Sequence, residues 1–252
     1  MPAASVEFAN VSFALADGRR LLSGINLTLE AGTTTAVLGR SGSGKTTLLR
    51  MVNALVMPTS GEVRVGGVST AAAVGAGRTT ALRRRIGYVI QEAGLFPHMT
   101  VGRNAGLALE LAGMDEISRG RRVAEMLELV GLPAGEFAAR YPWQVSGGQR
   151  QRVGLARALA SDPDVLLMDE PFGALDPMTR AEMQIMLRDL LRRVHKTVLL
   201  VTHDLDEALY LAGRVVFVHE GRVVADVPSG EVMESQEPAV REYVSVLRRG
   251  ER

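Results

Sequence analysis

The alternation of apolar and polar positions along the chain predicts an α/β protein. Residues 6 to 15 alternate in the manner of a strand in a half-exposed sheet. Four later runs, TTAVLG, DVLLMDE, TVLLVTH and RVVFVHEG, are short and almost entirely apolar. Such runs are typical of parallel strands that are covered on both faces. From about residue 92 to residue 160 the strand pattern gives way to helical periods.

This pattern predicts one domain rather than two. The core comprises residues 1–91 and 160–252, and a helical subdomain of about 92–159 is inserted into it. We expect a first helix over KTTLLRMVNAL, with Leu55 on its apolar side. The Ala-, Gly- and Thr-rich residues 66–81 predict a mobile surface loop.

Composition and charge exclude several classes of function. The 252 residues carry a net charge of +1, which gives no basic footprint for nucleic acid. The chain has no cysteine, so disulfides and thiolate metal sites are excluded, and a reducing compartment fits. No apolar run approaches 18 residues and the first ten residues do not resemble a signal peptide, so we expect any membrane role to require a partner.

The segment GRSGSGKTT carries the strongest chemical signal. Gly39, four further residues, and then Gly44, Lys45 and Thr46 form a P-loop between a predicted strand and a predicted helix. Its glycines allow backbone N–H groups to face phosphate oxygens, and the helix N-terminus adds partial positive charge. Lys45 would bridge the β- and γ-phosphates of a nucleotide, and Thr46 would ligate Mg²⁺. The alternative is a glycine-rich turn without a ligand.

We expect the whole loop to contact the nucleotide. The residues concerned are Gly39, Ser41, Gly42, Ser43, Gly44, Lys45, Thr46 and Thr47.

Polar side chains at the ends of three further strands fit the same chemistry. Asp169 and Glu170 end the run VLLMDE, where Asp169 can hold Mg²⁺ and Glu170 can orient or deprotonate a water molecule. Gln91 and His203 end two other strands, at the edge where parallel sheets bind ligands. The alternatives are helix capping for Glu170 and His203 and a loop hydrogen bond for Gln91. Asp176 precedes a proline and is predicted to be a helix N-cap.

A second glycine motif, VSGGQ, begins another predicted helix and suggests a second anion site at Ser146, Gly147 and Gly148. This segment resembles the signature motif of ATP-binding cassette (ABC) ATPases, usually written LSGGQ. The order of the P-loop, Gln91, VSGGQ, VLLMDE, GALD and His203 matches that family over residues 5 to 230. The resemblance implies a P-loop NTPase core with a mostly parallel sheet, an N-terminal antiparallel β subdomain and an inserted α-helical subdomain.

The resemblance also implies roles for these residues and a dimer. Two copies, or this chain and a paralogue, would join head to tail, so that Ser146, Gly147, Gly148 and Gln149 of one copy contact ATP held by the other. Glu170 would be the general base, and His203 would contact the γ-phosphate. Gln91 would sense Mg²⁺ and water, so the catalytic set is Glu170, His203, Gln91 and Lys45, and the metal set is Thr46, Gln91 and Asp169. Asp176 would lie at the dimer contact.

A narrower resemblance concerns the cargo. RRRIGYVIQEAGLFPHMTV and MDEPFGALDPMTR look like ATPases of importers for glycine betaine, choline, carnitine and related osmoprotectants. Such an ATPase acts with permease subunits at the cytoplasmic face of the membrane and, indirectly, with an extracytoplasmic substrate-binding protein. In the family the helical subdomain docks the permease, and the apolar residues Leu95, Phe96, Pro97 and Met99 suit that role. The other interpretation of these four residues is packing within the subdomain.

Two departures from the family pattern lead to further expectations. The aromatic residue that stacks on adenine is expected near Leu15 or Ala16, and Phe13 is the nearest aromatic. We therefore predict weak discrimination between bases. Many osmoprotectant ATPases carry paired CBS modules after the core, and we expect none after the short tail REYVSVLRRGER.

Two other functions remain open at this stage. One is import of amino acids or another small solute, because an ABC ATPase does not touch the cargo. The other is a non-transport ABC ATPase, which the compact spacing between the P-loop and the signature disfavours.

Overall fold

The computed structural model describes residues 2–250. Within that range the chain forms ten strands and ten α-helices. The strands are β1 (Val6–Ala14), β2 (Arg20–Leu29), β3 (Thr34–Leu38), β4 (Ser60–Val65), β5 (Val68–Ser69), β6 (Ile86–Val89), β7 (Val165–Asp169), β8 (Thr197–Thr202), β9 (Arg214–His219) and β10 (Arg222–Pro228). The helices are α1 (Lys45–Val52), α2 (Thr70–Gly75), α3 (Thr79–Arg84), α4 (Val101–Leu111), α5 (Glu116–Leu129), α6 (Ala134–Phe137), α7 (Gly147–Ala160), α8 (Pro177–Val194), α9 (Leu205–Leu211) and α10 (Pro238–Gly250).

These elements form two compact units, one of residues 2–83 and 196–250 and the other of residues 84–195. The first unit contains the predicted antiparallel sheet, with the strand order β2-β1-β4-β5. Val6 is level with Leu29 on one side and with Val65 on the other, and all three side chains are fully buried. Alternate positions of β1 therefore supply one apolar face, as the sequence pattern indicates.

The first unit also contains four strands in the order β10-β9-β3-β8. The strands β9, β3 and β8 are parallel, and β10 pairs antiparallel with β9. In this register Leu38, the last residue of β3, is level with Thr202, the last residue of β8. The two segments that follow these strands therefore leave the sheet side by side.

The second unit contains the parallel pair β6 and β7, with Val89 level with Met168. The helices α4 to α7 lie between these strands in the chain, which confirms the predicted helical insertion. In α5 the side chains of Val123, Met126 and Leu127 are buried, as the helical period predicts. Gly131 follows the C-cap with a φ of +72°, a conformation that glycine adopts readily.

Two sequence predictions are wrong. Residues 66–81 are not a loop, because α2 and the first residues of α3 form there; the Ser69 hydroxyl accepts a hydrogen bond from Ala72 N at 3.3 Å, and the alanines that follow are good helix formers. Leu55 lies outside α1 and is 52% exposed, because the helix ends at Val52 and Ala54 takes a left-handed φ of +53°.

Within residues 2–250 no helix has both the length and the apolar character needed to cross a bilayer.

Candidate functional site

The glycines of the P-loop are required by its backbone and by close approach. Gly42 and Gly44 have φ values of +80° and +96°, which other residues rarely adopt. A Cβ on Gly39 would lie 2.3 Å from the carbonyl oxygen of Val218, and one on Gly44 would lie 2.5 Å from Leu22 Cδ2. The loop therefore passes too close to its neighbours to carry side chains at these positions.

The loop encloses the amine of Lys45, the first residue of α1. The Nζ atom donates hydrogen bonds to the carbonyl oxygens of Gly39 at 2.7 Å and of Arg40 at 3.0 Å, and the side chain is buried. The N-cap residue of α1 is Gly44, which has no side chain and so cannot accept a hydrogen bond from the first N–H groups of the helix. The hydroxyl oxygen of Ser43 is buried and has no hydrogen-bond partner among the described residues.

These three features fit the binding of a phosphate group: the unpaired hydroxyl of Ser43, the enclosed amine of Lys45, and the start of α1 without a side-chain cap. Ser41 and Gly42 are exposed at the tip of the loop, and Thr46 and Thr47 are half-buried in the first turn of α1.

His203 lies beside this loop within the same unit. It follows β8, whose last residue is level with the last residue of β3, and its side chain is exposed. The helix cap that the sequence allowed for His203 is instead Asp204, which accepts hydrogen bonds from Asp206 N at 2.9 Å and Glu207 N at 3.2 Å. The imidazole is therefore not the cap of α9.

In the second unit, Asp169 and Glu170 differ in their surroundings. Asp169 is buried at the end of β7, and its Oδ2 atom lies 3.3 Å from the hydroxyl of Tyr88, which donates to it. Glu170 is half-buried and has a left-handed φ of +45°. A residue with a Cβ pays roughly 1–2 kcal/mol for that conformation, and such outliers cluster at functional sites. The strand β7 accordingly ends at Asp169, and the backbone turns away at Glu170.

Gln91 lies on the same side of this unit as Glu170. It follows β6, which is paired with β7, and a Cβ on Gly173 would lie 3.0 Å from Gln91 Nε2. The backbone N–H of Gly173 donates to the carbonyl oxygen of Glu170 at 3.1 Å. The turn that contains Gly173 therefore lies next to the side chain of Gln91 and is hydrogen-bonded to the backbone of Glu170.

The signature segment forms a capping box at the start of α7. Ser146 Oγ accepts a hydrogen bond from Gln149 N at 3.2 Å, and Gln149 Oε1 accepts one from Ser146 N at 2.8 Å. A Cβ on Gly148 would lie 2.4 Å from Thr179 Cγ2, whereas one on Gly147 would meet no atom closer than 3.8 Å. Sequence reasoning took SGGQ as an anion site alone and missed the capping box, although the spacing S-x-x-Q signals one.

Asp176 is the N-cap of α8, as predicted. Its Oδ1 atom accepts a hydrogen bond from Thr179 N at 3.1 Å. Hydrogen bonds from the hydroxyl and the backbone N–H of Thr179 hold the pKa of the exposed Asp176 carboxyl below its ordinary value.

The apolar segment predicted for permease docking is organised by Asn104, a buried residue of α4 that sequence reasoning missed. Its Oδ1 atom accepts from Phe96 N at 2.7 Å, and its Nδ2 atom donates to the carbonyl oxygens of Phe96, Met99 and Thr100 at 3.0, 3.1 and 3.0 Å. Phe96 and Pro97 are exposed, and Leu95 and Met99 are half-buried. The amide fixes the backbone and leaves the apolar side chains partly in solvent.

The residues predicted for Mg²⁺ are Thr46, Gln91 and Asp169. The described residues hold no cluster of three histidine, cysteine or acidic side chains of the kind that binds a metal alone. A P-loop donor set has one hydroxyl and one carboxylate and takes its other ligands from phosphate and water. The buried carboxylate of Asp169 and the hydroxyl of Thr46 are donors of that type.

The predicted base-binding region has no aromatic at the expected positions. Leu15 is half-buried and Ala16 is exposed in the turn after β1. Phe13 is half-buried in the strand, level with Leu22.

Comparison with known proteins identifies the family. The family model for ABC transporters matches residues 22–173, a range that contains the P-loop, Gln91, the signature and Asp169. The Salmonella typhimurium osmoprotectant import ATP-binding protein OsmV is 44% identical over 214 residues, which is 85% of this chain and 55% of that protein. The Escherichia coli glycine betaine uptake system ATP-binding protein YehX is 45% identical over 219 residues, which is 87% of this chain and 69% of that protein.

A third relative is named for the import of a different solute. The Fe(3+) ions import ATP-binding protein FbpC 3 of Rhodococcus jostii is 46% identical over 206 residues, covering 82% of this chain and 57% of that protein. The chain spans little more than half the length of several curated relatives that it matches.

A solved structure agrees with the family. The dimeric, post-hydrolysis ATP-binding cassette MJ0796 bound to ADP and Pi superposes with a TM-score of 0.79 at 34% identity, covering 89% of this chain and 98% of that one. This similarity confirms the predicted fold, an α/β ABC ATPase with an antiparallel sheet, parallel strands and inserted helices. The chain therefore belongs to the ABC transporter family.

Proposed function

We propose that this chain is the ATP-binding and ATP-hydrolysing subunit of an ABC importer for osmoprotectants such as glycine betaine, choline or carnitine. The observation that carries the proposal is its similarity to relatives named for that import, at 41–45% identity over 85–87% of the chain. The P-loop geometry supports the binding of nucleotide phosphates, as the proposal requires.

ATP binding begins at the P-loop. Backbone N–H groups between Gly39 and Thr47 bind the phosphates, and the Lys45 amine exchanges its two carbonyl partners for the more strongly attracting β- and γ-phosphate oxygens. Thr46, Asp169 and Gln91 would hold Mg²⁺, which would neutralise the charge that develops on the phosphates.

Hydrolysis adds water to the γ-phosphorus while the bond from that phosphorus to the bridging oxygen breaks, which yields ADP and phosphate. Glu170 accepts the proton that the water loses, and His203 donates a hydrogen bond to the γ-phosphate. Tyr88 was not among the predicted site residues; its hydroxyl fixes the orientation of the buried Asp169 carboxylate.

Two copies of the chain complete the reaction. Ser146, Gly147, Gly148 and Gln149 of one copy contact the γ-phosphate of ATP held by Lys45 of the other. ATP bridges the copies, and loss of the γ-phosphate removes the bridge. This cycle converts hydrolysis into a movement of the two copies relative to each other.

That movement drives permease subunits, which dock on the segment of residues 95–99 that Asn104 organises. The chain is accordingly peripheral to the cytoplasmic face of the membrane, and an extracytoplasmic binding protein delivers the solute to the permease. The 46% identity to an Fe(3+) importer subunit favours one alternative, import of a different small solute by the same ATPase cycle.

The test is uptake of labelled glycine betaine, choline and carnitine at high osmolarity in cells that carry the native chain or Lys45→Ala. We expect uptake only with the native chain, because the alanine variant lacks the amine that neutralises the phosphates. The matched control is Arg222→Ala, a change at an exposed position of β10 that should leave uptake unchanged.

Two results would contradict the proposal in different ways. Equal uptake of all three solutes with native and Lys45→Ala chains rejects the osmoprotectant cargo. Failure of the purified chain to hydrolyse ATP, alone and in membranes from the same cells, rejects the ATPase assignment itself.

A further inference from the structure

The backbone immediately after Gln91 is tightly turned. Ala93 N donates to the carbonyl oxygen of Ile90 at 3.2 Å, and Gly94 N donates to that of Glu92. Ala93 and Gly94 have φ values of +52° and +53°, two left-handed residues in succession. For a residue with a Cβ this conformation persists only where neighbouring groups hold it.

Helix α7 supplies those groups, all within the unit of residues 84–195. Arg157 donates through Nη1 to the carbonyl oxygen of Gly94 at 2.8 Å and through Nη2 to that of Ala93 at 2.5 Å. Gln151 Nε2 donates to the carbonyl oxygen of Ile90 at 3.2 Å. A Cβ on Gly154, between them on the helix, would lie 3.4 Å from Ala93. Because these three positions are three residues apart, they share one side of the helix.

The charge of Arg157 is compensated in an unusual way. Among the described side chains it has no ion pair with an acidic group, and burial lowers its pKa from the ordinary value. A desolvated cation normally requires an opposite charge or several hydrogen bonds. Here the two carbonyl oxygens of the turn provide its hydrogen bonds. The planar fork of the guanidinium reaches the two carbonyls with two separate nitrogens, whereas the ammonium group of a lysine at this position would have to reach both from a single nitrogen.

We propose that Arg157 is a positioning residue for ATP hydrolysis, which ties the segment that carries Gln91 to the helix that begins at the signature. Ser146 caps the same helix eleven residues earlier, roughly 16 Å away at 1.5 Å per residue. A displacement of α7 when the signature contacts phosphate therefore carries residues 90–94 with it. This inference rests on the proposed function, because it assumes that Gln91 and the signature take part in one ATPase cycle.

The test compares Arg157→Lys with Arg152→Lys in the purified full chain. Arg152 lies on the same helix but donates to the carbonyl oxygen of Val130 at 3.4 Å, away from the turn. Misplacing a catalytic group by about 1 Å can cost about 100-fold in rate. We expect the kcat of Arg157→Lys to fall about 10- to 100-fold, with KM and the affinity for a fluorescent ATP analogue within about twofold of native.

Hydrogen exchange supplies a second measurement on the same proteins. The amides of residues 91–96 should exchange faster in Arg157→Lys, while the central amides of α7 keep their native rates. Arg152→Lys should match the native chain in both kinetics and exchange. Should Arg157→Lys not fold, Gln151→Met serves instead, because it nearly keeps the size of the buried side chain, removes the donor to Ile90 without burying a charge, and is expected to give the same separation of kcat from KM.

Three outcomes would overturn the inference. In the first, Arg157→Lys retains the kcat of Arg152→Lys. In the second, kcat, KM and the thermal midpoint change together, which indicates a structural role only. In the third, the amides of 91–96 keep their native exchange rates. If the native chain shows no ATPase activity, both the proposed function and this inference are rejected. If the native chain hydrolyses ATP, the three outcomes above reject this inference alone.

Discussion

Replacing Gly148 by alanine tests how closely the start of α7 approaches the start of α8. The added Cβ would lie 2.4 Å from Thr179 Cγ2, and the next atom, Thr179 Cβ, would be 3.9 Å away. A single methyl group therefore accounts for the conflict. Thr179 cannot rotate that methyl away freely, because its hydroxyl donates a hydrogen bond to the Asp176 carboxylate at the cap of α8.

The magnitude follows from two opposing effects. Overpacking of this kind costs about 1–3 kcal/mol, and rotation of Thr179 would instead cost a hydrogen bond worth about 1 kcal/mol, so the conflict costs about 1–2 kcal/mol. Replacing a helical glycine by alanine otherwise stabilises by about 0.5–1 kcal/mol. Gly148→Ala should thus be neutral to destabilising in the native background. In the Thr179→Ser background, which lacks the methyl but keeps the hydroxyl, it should be stabilising.

The assay is urea unfolding of the four proteins of this double-mutant cycle, followed by the fluorescence of Trp143. It is the only tryptophan in the chain and lies in the same unit as both substitutions. We expect a coupling free energy of about 1–2 kcal/mol. Gly147→Ala is the control, since its Cβ would meet no atom closer than 3.8 Å, and Thr179→Ser should not alter its effect. A coupling below about 0.5 kcal/mol, or an equal coupling for Gly147, would refute the reasoning.

The remaining predictions concern ATP and the dimer. Glu170→Gln should bind ATP but stall as a dimer, because the proton acceptor is lost; a monomeric elution profile with ATP by size-exclusion chromatography would argue against it. A mixture of Lys45→Ala and Ser146→Arg chains should form dimers with one intact composite site, and ATPase activity no higher than the average of the two variants alone would count against head-to-tail packing. Because Leu15 and Ala16 offer no aromatic ring, Kd values for ATP and GTP should agree within about threefold by isothermal titration calorimetry, and a large preference for ATP would contradict this.

Elements whose signals are local could be predicted from the sequence. The P-loop lies between a short apolar strand and a helix, and its glycines have positive φ or unavoidable close contacts, so sequence and structure agree there. The cap at Asp176 follows from its position before Pro177. By contrast, α2 and α3 were missed because Gly and Thr outweighed the alanines, although Ser69 is a good cap and Leu82 is buried.

Contacts that depend on the tertiary register could not be predicted. Nothing near Asn104 or Arg157 in the sequence indicates that their side chains bind the backbone of the segment after Gln91. Both are ordinary polar residues within amphipathic helices, and only the packing of α4 and α7 brings them to that segment. The same holds for the hydroxyl of Tyr88 on Asp169, which depends on the pairing of β6 with β7.

The two glycine motifs of the chain need glycine for different reasons. In the P-loop, Gly42 and Gly44 have backbone conformations that other residues avoid, so the requirement lies within the chain. Gly147 and Gly148 are not among the glycines with positive φ, and α7 is capped by its own serine and glutamine. The close approach of Thr179 explains why position 148 needs a glycine. A methyl group on Gly147, in contrast, would make only ordinary contacts. If Gly147→Ala loses ATP-dependent dimerisation while its stability is unchanged, the cause must therefore be a contact with a second copy. The proposed head-to-tail dimer supplies such a contact, because it brings the nucleotide of the second copy to Gly147.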